Sequence, residues 1–180
     1  MPTISVRRAS AADRPMAERL WLMFRHDMSE FGGQLPNPDG TFRTERLAAA
    51  FEEQDWAGYV FAAADDRPVG FAIVRGLAGP VRVLSSFFVV RSIRRAGVGL
   101  HAAGAIAAEH PGPWEVAFQE ANAAAARFWR RVATELVGRD WTEERRAVPG
   151  RPDLPPDAWI SFTAGRADRS SPHPAQPTRG

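Results

Sequence analysis

The sequence holds no cysteine, no lysine and a single tyrosine among its 180 residues. Without cysteine there can be no disulfide, thiolate nucleophile or cysteine-ligated metal. Without lysine, arginine carries all 23 basic charges. The net charge of +2 is too small to demand a polyanionic partner, and in a chain rich in Ala, Gly and Pro the arginine bias reads as composition. The four histidines, His26, His101, His110 and His173, show no metal-ligand spacing, so no metal is expected. No segment approaches the ~18 apolar residues of a membrane helix. The opening Met1-Pro2-Thr3-Ile4-Ser5-Val6-Arg7-Arg8 has no apolar core, so neither a signal peptide nor an anchor is expected. These absences together predict a cytoplasmic protein without a membrane partner.

What is present fits one compact domain, since 180 residues at 44% hydrophobic content suffice for one core and would be cramped for two. Ile4-Ser5-Val6 reads as a short strand. Ser10, Asp13 and Pro15 then supply helix-start chemistry, and Met16, Leu20, Met23 or Phe24, Met28 and Phe31 repeat at helical spacing until Gly32-Gly33. Thr44 is placed to cap a second helix over residues 44–53. From Gly58 the period changes. Residues 59–64 and 68–75 are apolar runs parted by Asp65-Asp66-Arg67, a hairpin signal, and residues 81–90 make a third strand of an antiparallel meander. Helices are expected at 99–109 and 123–137, strands at 114–119, 141–146 and 158–163, and a proline-rich loop at 148–157. The domain thus spans residues 4–164. Residues 165–180 are polar and proline-rich and predict a disordered tail.

The window richest in chemistry is Phe87-Phe88-Val89-Val90-Arg91-Ser92-Ile93-Arg94-Arg95-Ala96-Gly97-Val98-Gly99-Leu100, a buried strand that leads through a glycine-bearing turn into a helix. Glycine lets backbone approach a ligand closely, and the unpaired N–H groups of a helix start point at an anion. The same pattern also serves as an ordinary tight strand-to-helix connection. It is not a triphosphatase phosphate loop, because no Lys-Ser or Lys-Thr follows, and a dinucleotide fingerprint would need a further glycine.

Arg94-Arg95-Ala96-Gly97-Val98-Gly99 resembles the acetyl-CoA motif of the GNAT superfamily: Arg or Gln, two residues, Gly, one residue, then Gly or Ala. The later strands and helices, with Asn122, Ala125 and Phe128-Trp129, resemble the second half of that family, and residues 4–163 are covered in all. The resemblance implies an α/β (α+β) fold with a mixed, mostly antiparallel twisted sheet of about seven strands and about four helices. It implies an acetyl-CoA-dependent N-acetyltransferase acting on a primary amine of a small molecule or peptide, as a monomer or homodimer. The backbone of Phe88 and Val90, flanking Val89, would bind the pantetheine arm. The turn from Arg94 through Arg95, Ala96, Gly97, Val98 and Gly99 to Leu100 would hold the pyrophosphate. Asn122 would lie near the cofactor arm or serve as a helix N-cap, and Phe128 and Trp129 would pack against the cofactor.

The chain departs from the family in its catalytic groups. Trp129 stands where many relatives keep a tyrosine acid, and an indole cannot deliver a proton. Where relatives often carry a glutamate base, this strand offers Ser85 and Ser86; Ser86 could order a relaying water. Glu120, Asp27, Glu30 and His26 are the other candidate bases, each of which could equally be a solvated side chain. Asp27 and Glu30 beside Phe31 would suit a cationic acceptor. Two other functions fit the same residues: a non-catalytic acyl-CoA-binding module, and a toxin-like enzyme acting on charged tRNA through Arg127, Arg130 and Arg131. Nucleic acid is not the expected partner, because no aromatic-interleaved basic motif accompanies those arginines.

Overall fold

The computed structural model describes residues 3–165, so the expected tail falls almost wholly outside the described residues. The period-two and continuous apolar runs form seven strands. They are β1 (Ile4–Arg8), β2 (Trp56–Ala63), β3 (Pro68–Arg75), β4 (Arg82–Val89), β5 (Gly112–Phe118), β6 (Trp141–Arg146) and β7 (Asp157–Ala164). The 3.6-period runs form α1 (Arg14–Gly32), α2 (Glu45–Glu52), α3 (Val98–Glu109) and α4 (Ala123–Val137). One sheet contains every strand in the order β1-β2-β3-β4-β5-β7-β6, and only the β4–β5 pair is parallel.

Local chemistry accounts for most boundaries. Ser10 and Asp13 form a capping box ahead of α1, and Gly33 closes that helix at φ 62°, a left-handed conformation that glycine adopts without strain. Thr44 occupies the N-cap of α2, but its side chain makes no capping bond; only its carbonyl does, accepting from Ala48 N–H at 2.8 Å. Strand β2 begins three residues earlier than the sequence suggests. Gly58, where the period changes, lies inside the strand, and glycine suits that position because a Cβ there would come within 3.3 Å of the Ala9 methyl.

Helices α1 and α2 cover one face of the β2–β3 region, and α3 and α4 lie on the other face of the sheet, α3 beside β1 and α4 across β5, β7 and β6. Phe71, Ile73 and Phe88 meet Leu20, Trp21 and Leu47 on the first face. The larger core lies on the second, where Tyr59, Phe61, Val74, Leu84, Trp114 and Ile160 pack under Ile106, Trp129 and Val132.

Candidate functional site

Two irregularities in β4 open the sheet. Ile73 pairs with Ser86 while Val74 pairs with Leu84, so Ser85 bulges out of register. On its other side, β4 pairs with β5 only at Arg82–Trp114, Val83–Glu115 and Leu84–Val116. Beyond Leu84 the two parallel strands part, and β4 presents a bare edge inside its own sheet.

Hydrogen-bond direction tells which backbone groups face the gap. Val90 N–H donates to Val69 O at 2.9 Å, and the Phe88 carbonyl lies against Gly70, so both are turned toward β3. Neighbouring residues of a strand alternate. Phe87 and Val89 therefore face the gap, which corrects the expectation that Phe88 and Val90 do. The Val89 carbonyl is already held there by Arg94 Nε at 2.7 Å.

After β4 a single helical turn over Arg91–Ile93 leads into α3. Gly97 sits at the N-cap of α3 with φ 81°, and Arg95, at φ 72°, is a non-glycine residue in the same strained region. The first in-helix bond is donated by His101 N–H to Gly97 O, so no main-chain acceptor meets the N–H groups of Val98, Gly99 and Leu100. Ala96 flanks this turn, half-buried against the core. Gly99 has an internal reason to be glycine, because a Cβ there would stand 3.0 Å from the Phe128 ring.

The Arg94 side chain is a strut. Besides Val89 O, it hydrogen-bonds Asp27 Oδ2 and lies over the Phe88 ring, while Arg91 donates to Asp27 Oδ1 at 2.7 Å. Burial alone would raise the Asp27 carboxyl, but the two guanidiniums outweigh it and hold it below the usual carboxylate range. Asp27 is thus occupied as an arginine ligand, which corrects its candidacy as a base or as an anchor for a cationic acceptor. A depression of about 480 Å³ beside it is lined by Leu22, Met23, His26, Phe88 and Val90 with Asp27 and Arg91. His26 is exposed on its rim, and Glu30 is exposed with no hydrogen-bond partner among the described residues.

Glu120 also proves to be committed. It accepts from Arg130 at 2.6 Å and Arg145 at 3.0 Å, in a network that includes Glu143. That network takes Arg130 out of the basic helix face, and Arg131 lies 3.6 Å from Glu135. Asn122 caps α4, accepting from Ala125 N–H at 3.0 Å. Trp129 is buried at 7% exposure, edge-on to Phe87 and Phe128, where it packs the core. Ser86 is buried, and its hydroxyl has no partner. Tyr59 lies away from the gap, where its hydroxyl meets Glu109 Oε1 at 2.9 Å and His110 Nε2 at 2.5 Å. Burial and the Glu109 carboxylate push that phenol well above its ordinary range.

Asp157 was missed from sequence. It opens β7, half-buried, directly after the proline-rich loop, and burial raises its carboxyl against the opposing pull of Arg46. Its position after Pro155-Pro156 marks it as a turn residue, which hid it.

A family model for the acetyltransferase (GNAT) family matches residues 20–133. No curated protein matches the chain in sequence. Among solved structures, the fold is similar to the ribosomal-protein-S18-alanine N-acetyltransferase of Escherichia coli. The identity is 13%, coverage is 94% of this chain and 99% of that one, and the TM-score is 0.60. A spermidine N-acetyltransferase from Vibrio cholerae in complex with CoA and spermine is 10% identical over 89% and 95% of the two chains, with a TM-score of 0.61. A Corynebacterium glutamicum protein described as histone acetyltransferase HPA2 and related acetyltransferase is 17% identical over 93% and 99%, with a TM-score of 0.63. No helix among the described residues is long and apolar enough to cross a membrane.

Proposed function

The chain belongs to the GNAT family of N-acetyltransferases, and from that premise we propose that it transfers the acetyl group of acetyl-CoA to a primary amine by direct attack. The observation that carries this reading is the bare edge of β4, which runs straight into the uncapped start of α3. An extended arm bearing amides can add to that edge as a strand adds to a sheet, with Phe87 and Val89 supplying the main-chain groups. A pyrophosphate fits the N–H groups of Val98, Gly99 and Leu100, where the helix dipole favours an anion and Gly97 adds no side chain. Arg95, exposed on the turn, is the cation free to approach it, since Arg91 and Arg94 are engaged by Asp27.

The acceptor enters from the α1–α2 side, where the gap is open. Its neutral amine attacks the thioester carbonyl carbon, the C–S bond breaks, and the sulfur leaves. A free thiol of ordinary pKa, about 8.5, departs as a thiolate without a dedicated acid, so Trp129 in place of a tyrosine is compatible with turnover. Neutralising an amine whose ordinary pKa is about 10.4 is the harder step. The acceptor is a small molecule or a peptide. Spermidine and a ribosomal-protein alanine, the acceptors named for two similar folds, mark the breadth to be tested.

The test has two parts. Calorimetry with coenzyme A should show binding that falls at least about tenfold in Gly97→Val, because the new side chain stands where the phosphate must approach. A screen of spermidine, an alanine-terminated peptide, free amino acids and aminoglycosides, read by free-thiol release, should find turnover with one class. Unchanged affinity in Gly97→Val defeats the cofactor assignment. Binding with no thiol release from any amine leaves a non-catalytic acyl-CoA binder.

A further inference from the structure

The face of the sheet turned toward α1 and α2 is covered only over its first half, and the strands β5, β7 and β6 lie open there. Cross-strand partners share a face. Glu115, paired with Ser161, and Glu144, paired with Trp159, therefore lie on this face together with Asp157, which pairs with Arg146. Glu115 and Glu144 are both claimed by Arg146, which reaches Glu115 at 2.7 and 3.0 Å. Asp157 has neither a hydrogen-bond donor nor an ion pair among the described residues.

Two more unsatisfied oxygens stand nearby. Gln119 lies one step past the last β5–β7 pair, Phe118–Ala158, and so comes level with Asp157; its Oε1 is buried without a partner. The buried Ser86 hydroxyl, also unpartnered, projects to the same face of β4, since its partner Ile73 packs under α1 and α2. Ser86 on β4 and Gln119 on β5 thus border the gap with buried oxygens that lack donors, and the half-buried Asp157 carboxyl stands one strand further on, across β5 on β7. Arg46 of α2 donates to the bulged Ser85 carbonyl on β4 at 3.1 Å, and its charge acts on Asp157. Buried oxygens without donors are costly, and an ammonium supplies the donors they lack.

We propose that Asp157 is the base that takes the proton from the acceptor ammonium, with Gln119 Oε1 and the Ser86 hydroxyl holding that ammonium beside the parted edge of β4. The inference rests on the acetyl-transfer reading above. In the step itself, one N–H proton passes to the Asp157 carboxylate and the freed lone pair forms the C–N bond. The C–S bond breaks, and the second proton lost from nitrogen neutralises the departing thiolate through water. Asp157 then returns its proton to solvent. The charged groups facing Asp157 are Arg46 from α2 and Arg146 from β6, the latter neutralised by Glu115 and Glu144; burial, the larger influence, keeps the carboxyl above its ordinary range and so nearer to the amine it must deprotonate.

The experiment compares wild type with Asp157→Asn, using two small nucleophiles at saturating acetyl-CoA. Propylamine is protonated at neutral pH, whereas hydroxylamine is already neutral. Loss of a general base should lower kcat/KM for propylamine about 100-fold at pH 7, less at pH 9.5, and change hydroxylamine by no more than about threefold. Equal losses for both nucleophiles, or no loss for propylamine, overturn the proposal. Coenzyme A calorimetry on the variant checks its fold. Independently of any variant, the carbon-13 titration of the wild-type Asp157 carboxyl should move when propylamine is added, and an indifferent resonance overturns the proposal. If the wild type does not accept propylamine, the amine that releases thiol in the screen above takes its place; a wild type that binds coenzyme A yet releases no thiol with any of those amines overturns the acetyl-transfer reading, and the base with it.

Discussion

The two halves of the sheet are built on different terms. Strands β2 and β3 lie between helix layers and have six consecutive buried residues each, whereas β5 and β7 alternate between buried and partly exposed positions because only one of their faces is covered. The outermost strand, β6, reads Trp-Thr-Glu-Glu-Arg-Arg; it is laddered to β7 along its length, and its side chains add ion pairs to Arg130 of α4 and Glu115 of β5. The first half is held by apolar burial. The second leaves polar side chains in the open beside the gap, which is where an acceptor has to arrive. A sheet that must both persist and bind can divide those tasks between its halves.

The sharpest way to break that contrast is to truncate one aromatic from each half. Phe61→Ala, in the doubly covered half with no exposed surface, should cost about 3–5 kcal/mol in urea denaturation. Trp159→Ala, on the open face of β7, should cost under about 1.5 kcal/mol, because little of its surroundings must collapse. Similar losses would mean that the open face is covered in solution.

A smaller effect tests the ionic half. Hydrogen bonds from Arg130, opposed by burial and aided by Arg145, bring Glu143 to about 2, below its ordinary 4.5. A carboxyl depressed in the folded state contributes stability that is complete above pH 4.5 and disappears as pH falls through 2. Glu143→Gln should therefore cost about 1 kcal/mol at pH 7 and a diminishing amount below pH 4.5. A gap between variant and wild type that persists at pH 2 would assign the loss to packing.

The smallest effect concerns Tyr59. Its hydroxyl is engaged by Glu109 and His110 at the far end of α3, so Tyr59→Phe should change kcat by less than about twofold once an acceptor is known. A hundredfold loss would place the chemistry elsewhere.

Much of this was legible in the residues. The Asp65-Asp66-Arg67 hairpin, the start and stop of α1, and the strand-to-helix turn at Gly97 each announce themselves through side chains that few other conformations favour. The gap was not legible, because the three-residue β4–β5 pairing and the Ser85 bulge arise from how strands meet, which no local pattern encodes. The same applies to charges. Asp27 looked available until Arg91 and Arg94, more than sixty residues away, were folded against it, and Glu120 until Arg130 and Arg145 were. Asp157 stayed hidden because its place after Pro155-Pro156 reads as a turn, and nothing local tells that it is left without an ionic partner.

The alternation along β4 has a consequence for the motion of its amide protons. Val90 N–H is bonded to β3 and should exchange with solvent only when the sheet opens, while the Phe87 and Val89 N–H groups, in the middle of the same sheet, face the gap with no strand to protect them. A single strand would thus carry fast and slow deuterium uptake at every second residue. An arm that settles along the edge would slow the fast set and leave the slow set as it was, so the ligand would be recorded as the disappearance of a two-residue rhythm.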